Sequence, residues 1–177
     1  MGAVAAVEVP PTPEERLAAR GWTLPPLWAP GASLLMARAH GDLLRLSAHM
    51  GVQMDRPESF HGREDHRPLR SGRVGAEVSL EEAVVVARGG ALNVIATLRH
   101  ELGDLRRVRA FLQVTVLVNA VDGFWSVHTI ADAASDVFID VFGPAGQHAR
   151  SSFGVTALPA NSCLAVEALV SLEPPSP

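Results

Sequence analysis

His148, Arg150 and Ser152 alternate along one stretch near the end of the chain, and they are the side chains best suited to hold an organic anion. The stretch reads as a β-strand, so these three share a face with Gly154 and Thr156. A guanidinium matches a carboxylate because its planar fork donates two parallel hydrogen bonds. Arg150 is therefore a candidate carboxylate receptor, the alternative being a salt bridge between subunits. His148 titrates near neutral pH and could act as general acid and base beside it; otherwise it is a strand-end histidine facing solvent. His49, just after an apolar strand, can enter the same cleft. His128, early in a later helix, reads as a structural residue or a cleft wall.

Other reactive residues carry weaker patterns. Cys163 begins an apolar run, and lone cysteines commonly behave as small buried hydrophobes. His61 and His66 flank Glu64-Asp65 in a polar segment, but the spacing matches no strong metal template and cysteine is absent there. No metal is expected. Ser47 and Ser152 lack a sequence partner set for a Ser-His-Asp triad. Trp22, Trp28 and Trp125 read as packing or interface residues.

The elements that must position these groups can be read from periodicity. Residues 1–29 form an arm and a short helix, in which Thr12 caps, Pro13 takes the first helical position and Gly21 stops the helix. Residues 33–39 and 43–47 are two apolar runs around His40-Gly41-Asp42, a hairpin signal. Residues 52–75 are a charged excursion that reads as a flexible loop or a lid. Ser79 with Glu82 makes a capping box, opening a helix of about 24 residues that Gly103 closes. Its Gly89-Gly90 pair costs roughly 1 kcal/mol per glycine against alanine, which close packing on a sheet would explain. Residues 108–118 alternate, with Val108, Ala110, Leu112, Val114, Val116 and Val118 on one face. A second helix follows over 124–142. Residues 148–157 and 163–171 read as a closing hairpin around Leu158-Pro159-Ala160-Asn161. The fold class is α+β, in the order β-β-α-β-α-β-β, with two helices packed on one sheet. Residues 30–173 then form one domain and 174–177 a tail. The other face of the sheet needs a cover, which a homo-oligomer supplies.

Bulk properties narrow the function. A chain of 177 residues with 47% hydrophobic content suits one globular domain. All 15 basic residues are arginine and the formal net charge is −4. No basic field draws nucleic acid to such a chain. One cysteine excludes an intramolecular disulfide, and the N-terminus lacks the basic region of a signal peptide. A cytoplasmic protein with no membrane segment is expected.

Three strings resemble the Rid (YjgF/YER057c/UK114) family, in a longer-chain branch. Gly41-Asp42-Leu43-Leu44-Arg45-Leu46-Ser47-Ala48 is similar to its first hairpin. Ala91-Leu92-Asn93, with Gly103-Asp104-Leu105 and Val108 after it, resembles its central "ALN…lGdLxrV" stretch. Arg150-Ser151-Ser152, Leu158-Pro159 and Val166-Glu167-Ala168 resemble its C-terminal signature. The resemblance implies a chorismate-mutase-like fold and a homotrimer with barrel-like assembly and clefts between subunits. It implies hydrolysis of amino-acid-derived imines and enamines, releasing ammonia without metal or cofactor. The arginine that grips the substrate carboxylate falls on Arg150. The pocket residue two positions on falls on Ser152, the pocket aromatic near Leu34, and the serine–glycine pair on Ser47-Ala48. The water-activating glutamate falls on Ala165, which can neither give nor take a proton. Glu167 faces the same side of the strand but lies about 7 Å further along it. His148, His49 and Glu167 are thus the residues left to carry protons.

Three functions fit: a Rid-type imine or enamine deaminase, a relative recruited to a biosynthetic cyclisation, dehydration or condensation, and a non-catalytic binder of small carboxylates. The expected partners are a carboxylate-bearing small molecule and further copies of the chain. Ribonuclease activity is disfavoured by the acidic balance.

Overall fold

The computed structural model describes residues 10–27, 34–51 and 68–174. Helix α1 (Pro13–Ala19) is held by the expected cap, in which Thr12 and Glu15 bond each other's backbone. Strands β1 (Ala37–His40) and β2 (Leu43–His49) pair antiparallel, with His40 opposite Leu43 across the Gly41-Asp42 turn. Helix α2 (Leu80–Leu102) begins at the Ser79–Glu82 capping box and ends on left-handed Gly103. Strand β3 (Val108–Asn119), helix α3 (Val127–Phe142), strand β4 (Ala149–Val155) and strand β5 (Leu164–Leu172) complete the domain. The expected ββαβαββ order is present, with α1 added ahead of it. The second helix begins at Val127, three residues after the expected start, because Gly123 with positive φ turns the chain first.

The sheet runs β1-β2-β5-β3-β4. This corrects the closing hairpin: β4 and β5 do not pair, and β3 lies between them. Strand β4 runs parallel to β3, from Gln113 beside Ala149 to Asn119 beside Val155, while β5 is antiparallel to both β3 and β2. Composition explains the outcome. Strand β5 is buried along nearly its whole length and suits a central position bonded on both sides. Strand β4 carries Arg150, Ser151, Ser152 and Gly154, and suits an edge. A 3₁₀ turn at Pro159–Asn161 carries the chain between them, with Ala160 and Asn161 both at φ 53°.

Helices α2 and α3 pack side by side on one face. Beneath them lie Leu44 and Leu46 of β2, Val114, Val116 and Val118 of β3, and Leu164, Val166, Ala168 and Val170 of β5, all buried. The expected alternation of β3 fails in its first half. Register shifts flank Ala110–Phe111, so Phe111 turns inward against Phe138 and Phe142 while Leu112 turns out, 41% exposed. A bulge moves alternate residues to the opposite face.

The mid-helix glycines have a packing reason. A Cβ on Gly90 would stand 3.1 Å from Val166 Cγ2 and 3.4 Å from the His49 carbonyl oxygen. Helix α2 thus lies on β5 and the end of β2 at a distance that a side chain would prevent. Of the expected 52–75 excursion, residues 52–67 lie outside the described residues. The remainder is anchored: Leu69 N–H donates to the Gly51 carbonyl, Val74 N–H to that of Asn119, and Val74 is fully buried.

Replacing Gly90 with valine is expected to destabilise the fold by about 1–3 kcal/mol through overpacking. Urea denaturation of the variant measures it, and an unchanged midpoint would contradict the close approach of α2 to Val166.

Candidate functional site

Parallel pairing sets each β4 residue beside a β3 residue on the same face. Arg150 neighbours Val114 and Ser152 neighbours Val116, both inward-facing valines. Arg150 and Ser152 therefore lie on the helix-covered side of the sheet, at its outer edge, where α3 passes. Arg150 Nη2 lies 2.7 Å from Asp132 Oδ1, and Nη1 donates to Ser135 Oγ at 3.1 Å. The arginine side chain is 26% exposed and that of Asp132 55%. The planar fork is thus held by a buried serine on one arm and by a carboxylate open to solvent on the other.

His148 joins the same group. Its Nδ1 is 2.6 Å from the Gly146 carbonyl oxygen, and its Nε2 is 2.9 Å from Ser135 Oγ. A carbonyl oxygen only accepts, so Nδ1 carries the proton and Nε2 of the neutral ring accepts from the serine hydroxyl. The ring stands edge-on to Phe138, with centroids 5.9 Å apart. Burial lowers the pKa of His148 below its ordinary value; the bond to Gly146 opposes this and the nearby Arg150 charge adds to it. Arg150, Ser135, His148 and Gly146 form one continuous hydrogen-bonded chain. Ser135 and Asp132 were not legible as partners, because only the crossing of α3 over β4 brings them to the arginine.

The remaining candidates fall elsewhere. Ala165 and Glu167 project to the open face of the sheet, the opposite side from Arg150. Ala165 is buried and sits opposite Leu117 of β3. Glu167 Oε2 accepts from Arg45 Nη2 at 2.7 Å. The β2–β5 register slips between Leu46 and His49, so Ser47 and Ala48 together oppose the single residue Glu167. The Ser47 hydroxyl donates to the Leu35 carbonyl at 2.8 Å and its N–H to that of Met36, tying down the segment that leads into β1. Leu34, on that segment, is 46% exposed.

The same slip turns His49 into the core rather than into the cleft with Arg150. His49 is 4% exposed; its Nδ1 donates to the Ser47 carbonyl at 2.6 Å and its Nε2 accepts from Thr97 Oγ1 at 2.8 Å. Burial pushes its pKa down to about 4, against the opposing effect of the Ser47 carbonyl. Cys163 is buried too, and burial raises its thiol to about 11, far from thiolate chemistry at neutral pH. His128 is exposed at the start of α3. Trp125 is 86% exposed. Trp28, His61, Glu64, Asp65 and His66 lie outside the described residues. Among the described residues no three metal-ligating side chains converge, and no helix is long and apolar enough to cross a membrane.

A five-stranded mixed sheet with two long helices on one face, and an arginine on the edge strand behind the last crossover helix, defines a chorismate-mutase-like α+β domain. Residues 36–172 match the family described as "YjgF/chorismate mutase-like, putative endoribonuclease", and the chain belongs to that family, the Rid proteins. It is 38% identical over 103 residues to Protein TCP17 of Trypanosoma cruzi, covering 58% of this chain and 64% of that relative's length. A crystal structure of a protein of unknown function from Agrobacterium tumefaciens superposes with a TM-score of 0.79 at 28% identity, covering 91% of this chain and 92% of that one. A "putative endoribonuclease" from Shewanella oneidensis superposes with a TM-score of 0.81 at 26% identity, covering 92% and 100% of the two chains. RidA from an Antarctic Psychrobacter shares the fold, with a TM-score of 0.54 at 18% identity, over 83% of this chain and 94% of that one.

His49 makes stability depend on pH. Its folded pKa lies below that of the unfolded chain, so its contribution is complete above about pH 6.5 and is lost as pH falls towards 4. The full loss is on the order of 3 kcal/mol. His148 acts in the same direction. Urea midpoints should fall between pH 7 and pH 5, and less steeply in His49→Gln; equal slopes would contradict a buried neutral imidazole.

Proposed function

We propose that this protein is a Rid-type enzyme that acts on a small imine or enamine bearing a carboxylate, bound in a cleft between subunits. The observation that carries the reading is the state of Arg150. Its fork is oriented by Ser135, and its second arm is paired with the solvent-open carboxylate of Asp132. Exposed ion pairs are worth roughly 0–1 kcal/mol, so a substrate carboxylate can take the place of Asp132 at little cost. Substrate binding then reuses a geometry that the resting protein already holds.

Two further features support the intersubunit cleft. Arg150 and Ser152 lie on one side of the sheet, whereas Ser47, Ala165 and Glu167 lie on the other. One protomer cannot bring both sets to one ligand, but two neighbouring protomers can. The open face also carries Leu117, Leu169 and Phe153, a semi-apolar surface suited to burial against copies of the chain. A homotrimer is the assembly in keeping with the family, and light scattering in solution tests it; a monomer would contradict the cleft. An endoribonuclease role, as named for a relative, fits this chain less well: its net charge is −4, and an aspartate, Asp132, sits on Arg150.

Ala165 in place of the family's acid favours a second reading, in which binding is retained and the chemistry has moved to a biosynthetic tailoring step. Ammonia release from imines generated by an amino-acid oxidase separates the two. Under the first reading, wild-type protein accelerates release and Arg150→Ala loses most of the rate, by 10²-fold or more if the carboxylate positions the reacting carbon, roughly the cost of misplacing a substrate by about 1 Å. Asp132→Asn should lower KM several-fold by removing the competing carboxylate; a raised KM would assign Asp132 to binding instead. A wild type without activity, in which Ala165→Glu gains it, would support the second reading.

A further inference from the structure

The structure leaves His148 no free nitrogen with which to meet a ligand: Nδ1 is spent on Gly146 and Nε2 on Ser135. Ser135 Oγ, by contrast, touches both the imidazole and the Arg150 guanidinium, at 2.9 and 3.1 Å. A carboxylate seated on Arg150 therefore brings the carbon attached to it into the neighbourhood of this hydroxyl. Ser135 is 7% exposed. We propose that Ser135 is the catalytic residue that passes protons between His148 and a substrate held at Arg150. The proposal rests on the imine reading above and names the proton carrier that Ala165 leaves missing.

The steps balance as follows. Protonated His148 gives its Nε2 proton to Ser135 Oγ while the serine's own proton passes to the imine nitrogen. Water adds to the carbon of the resulting iminium, and its proton returns through Ser135 to His148, leaving a carbinolamine. A second passage through the relay protonates the amino group. The C–N bond then breaks with its electron pair leaving on ammonia, the hydroxyl proton returns to His148, and the C=O bond forms. One water is consumed, one ammonia is released and His148 ends as it began. The charged groups facing the imidazole are Arg150 from β4 and, through that arginine, Asp132 from α3; from β3 it meets only the Phe111 ring. At rest the arginine disfavours the imidazolium. A bound carboxylate offsets that charge, so the acid form is favoured when substrate is present.

Ser135→Ala is expected to lower kcat for ammonia release by roughly 100-fold or more, since general acid–base catalysis typically contributes 10²–10⁴. Its kcat–pH profile should lose the limb that His148 sets, and Ser135→Thr should restore both. A Ser135→Ala enzyme with wild-type kcat and an unchanged profile would overturn the relay and leave the imine reading intact. A wild type that releases no ammonia overturns the imine reading itself. The relay, which rests on that reading, then falls with it.

Discussion

The site depends on one constraint: among the described residues, the two long helices cover one face of the sheet. Helices α2 and α3 close over the inward residues of β2, β5 and β3, and Gly90 lets α2 approach β5 more closely than a side chain would allow. A residue's role is then decided by its parity along its strand. Inward residues meet α2, α3 and the core, and outward ones meet whatever lies across the open face. Bulges change parity, in β2 between Leu46 and His49 and in β3 on either side of Ala110–Phe111. In β2 the slip buries His49 and leaves Ser47 and Ala48 opposite Glu167. In β3 it brings Phe111 under α3, where its ring also walls the pocket of His148.

Arg150 is the inward residue that escapes the core. It occupies the position beside Val114, but on the edge strand, where the cover thins and α3 offers polar groups. A guanidinium one strand further in would lie beneath the helices, at a cost of several kcal/mol unless paired. At the edge it keeps solvent access on one side and a hydrogen-bond acceptor on the other. Ser135 supplies that acceptor, and its own proton orders the His148 ring. The arrangement joins a fixed cation, a hydroxyl and an imidazole in a partly dry setting. Burial holds the imidazole neutral at rest, so the group is poised rather than charged.

The open face carries a different chemistry. Arg45 and Glu167 pair across β2 and β5, Ser47 ties down the segment before β1, and Ala165 lies buried opposite Leu117. The two half-sites belong to opposite sides of one sheet, which ties the proposed activity to assembly.

Much of the architecture was legible from local pattern. Thr12–Glu15 and Ser79–Glu82 are capping boxes whose partners lie three residues apart, and Gly103 ends α2 by a backbone conformation it adopts alone. Such signals are local, so the residues that form them determine them. The same holds for the element order and for the alternation that puts Arg150 and Ser152 on one face of their strand. The strand order was not legible, because β4 and β5 are both plausible hairpin partners until β3 competes for both of their edges. Nor were the bulges, which depend on how twelve residues of β3 fit against neighbours on either side. The partners of Arg150 are contributed by α3, up to 18 positions earlier in the chain, and no spacing rule connects a helix to the edge strand that its crossover builds. The sequence by itself determined the helix caps and the element order, and it singled out Arg150 as a candidate to hold a carboxylate. Only the tertiary structure decided that Ser135, Asp132 and His148 surround Arg150 while Glu167 and Ser47 face the other way, because that choice is made by the packing of whole elements and not by any one of them.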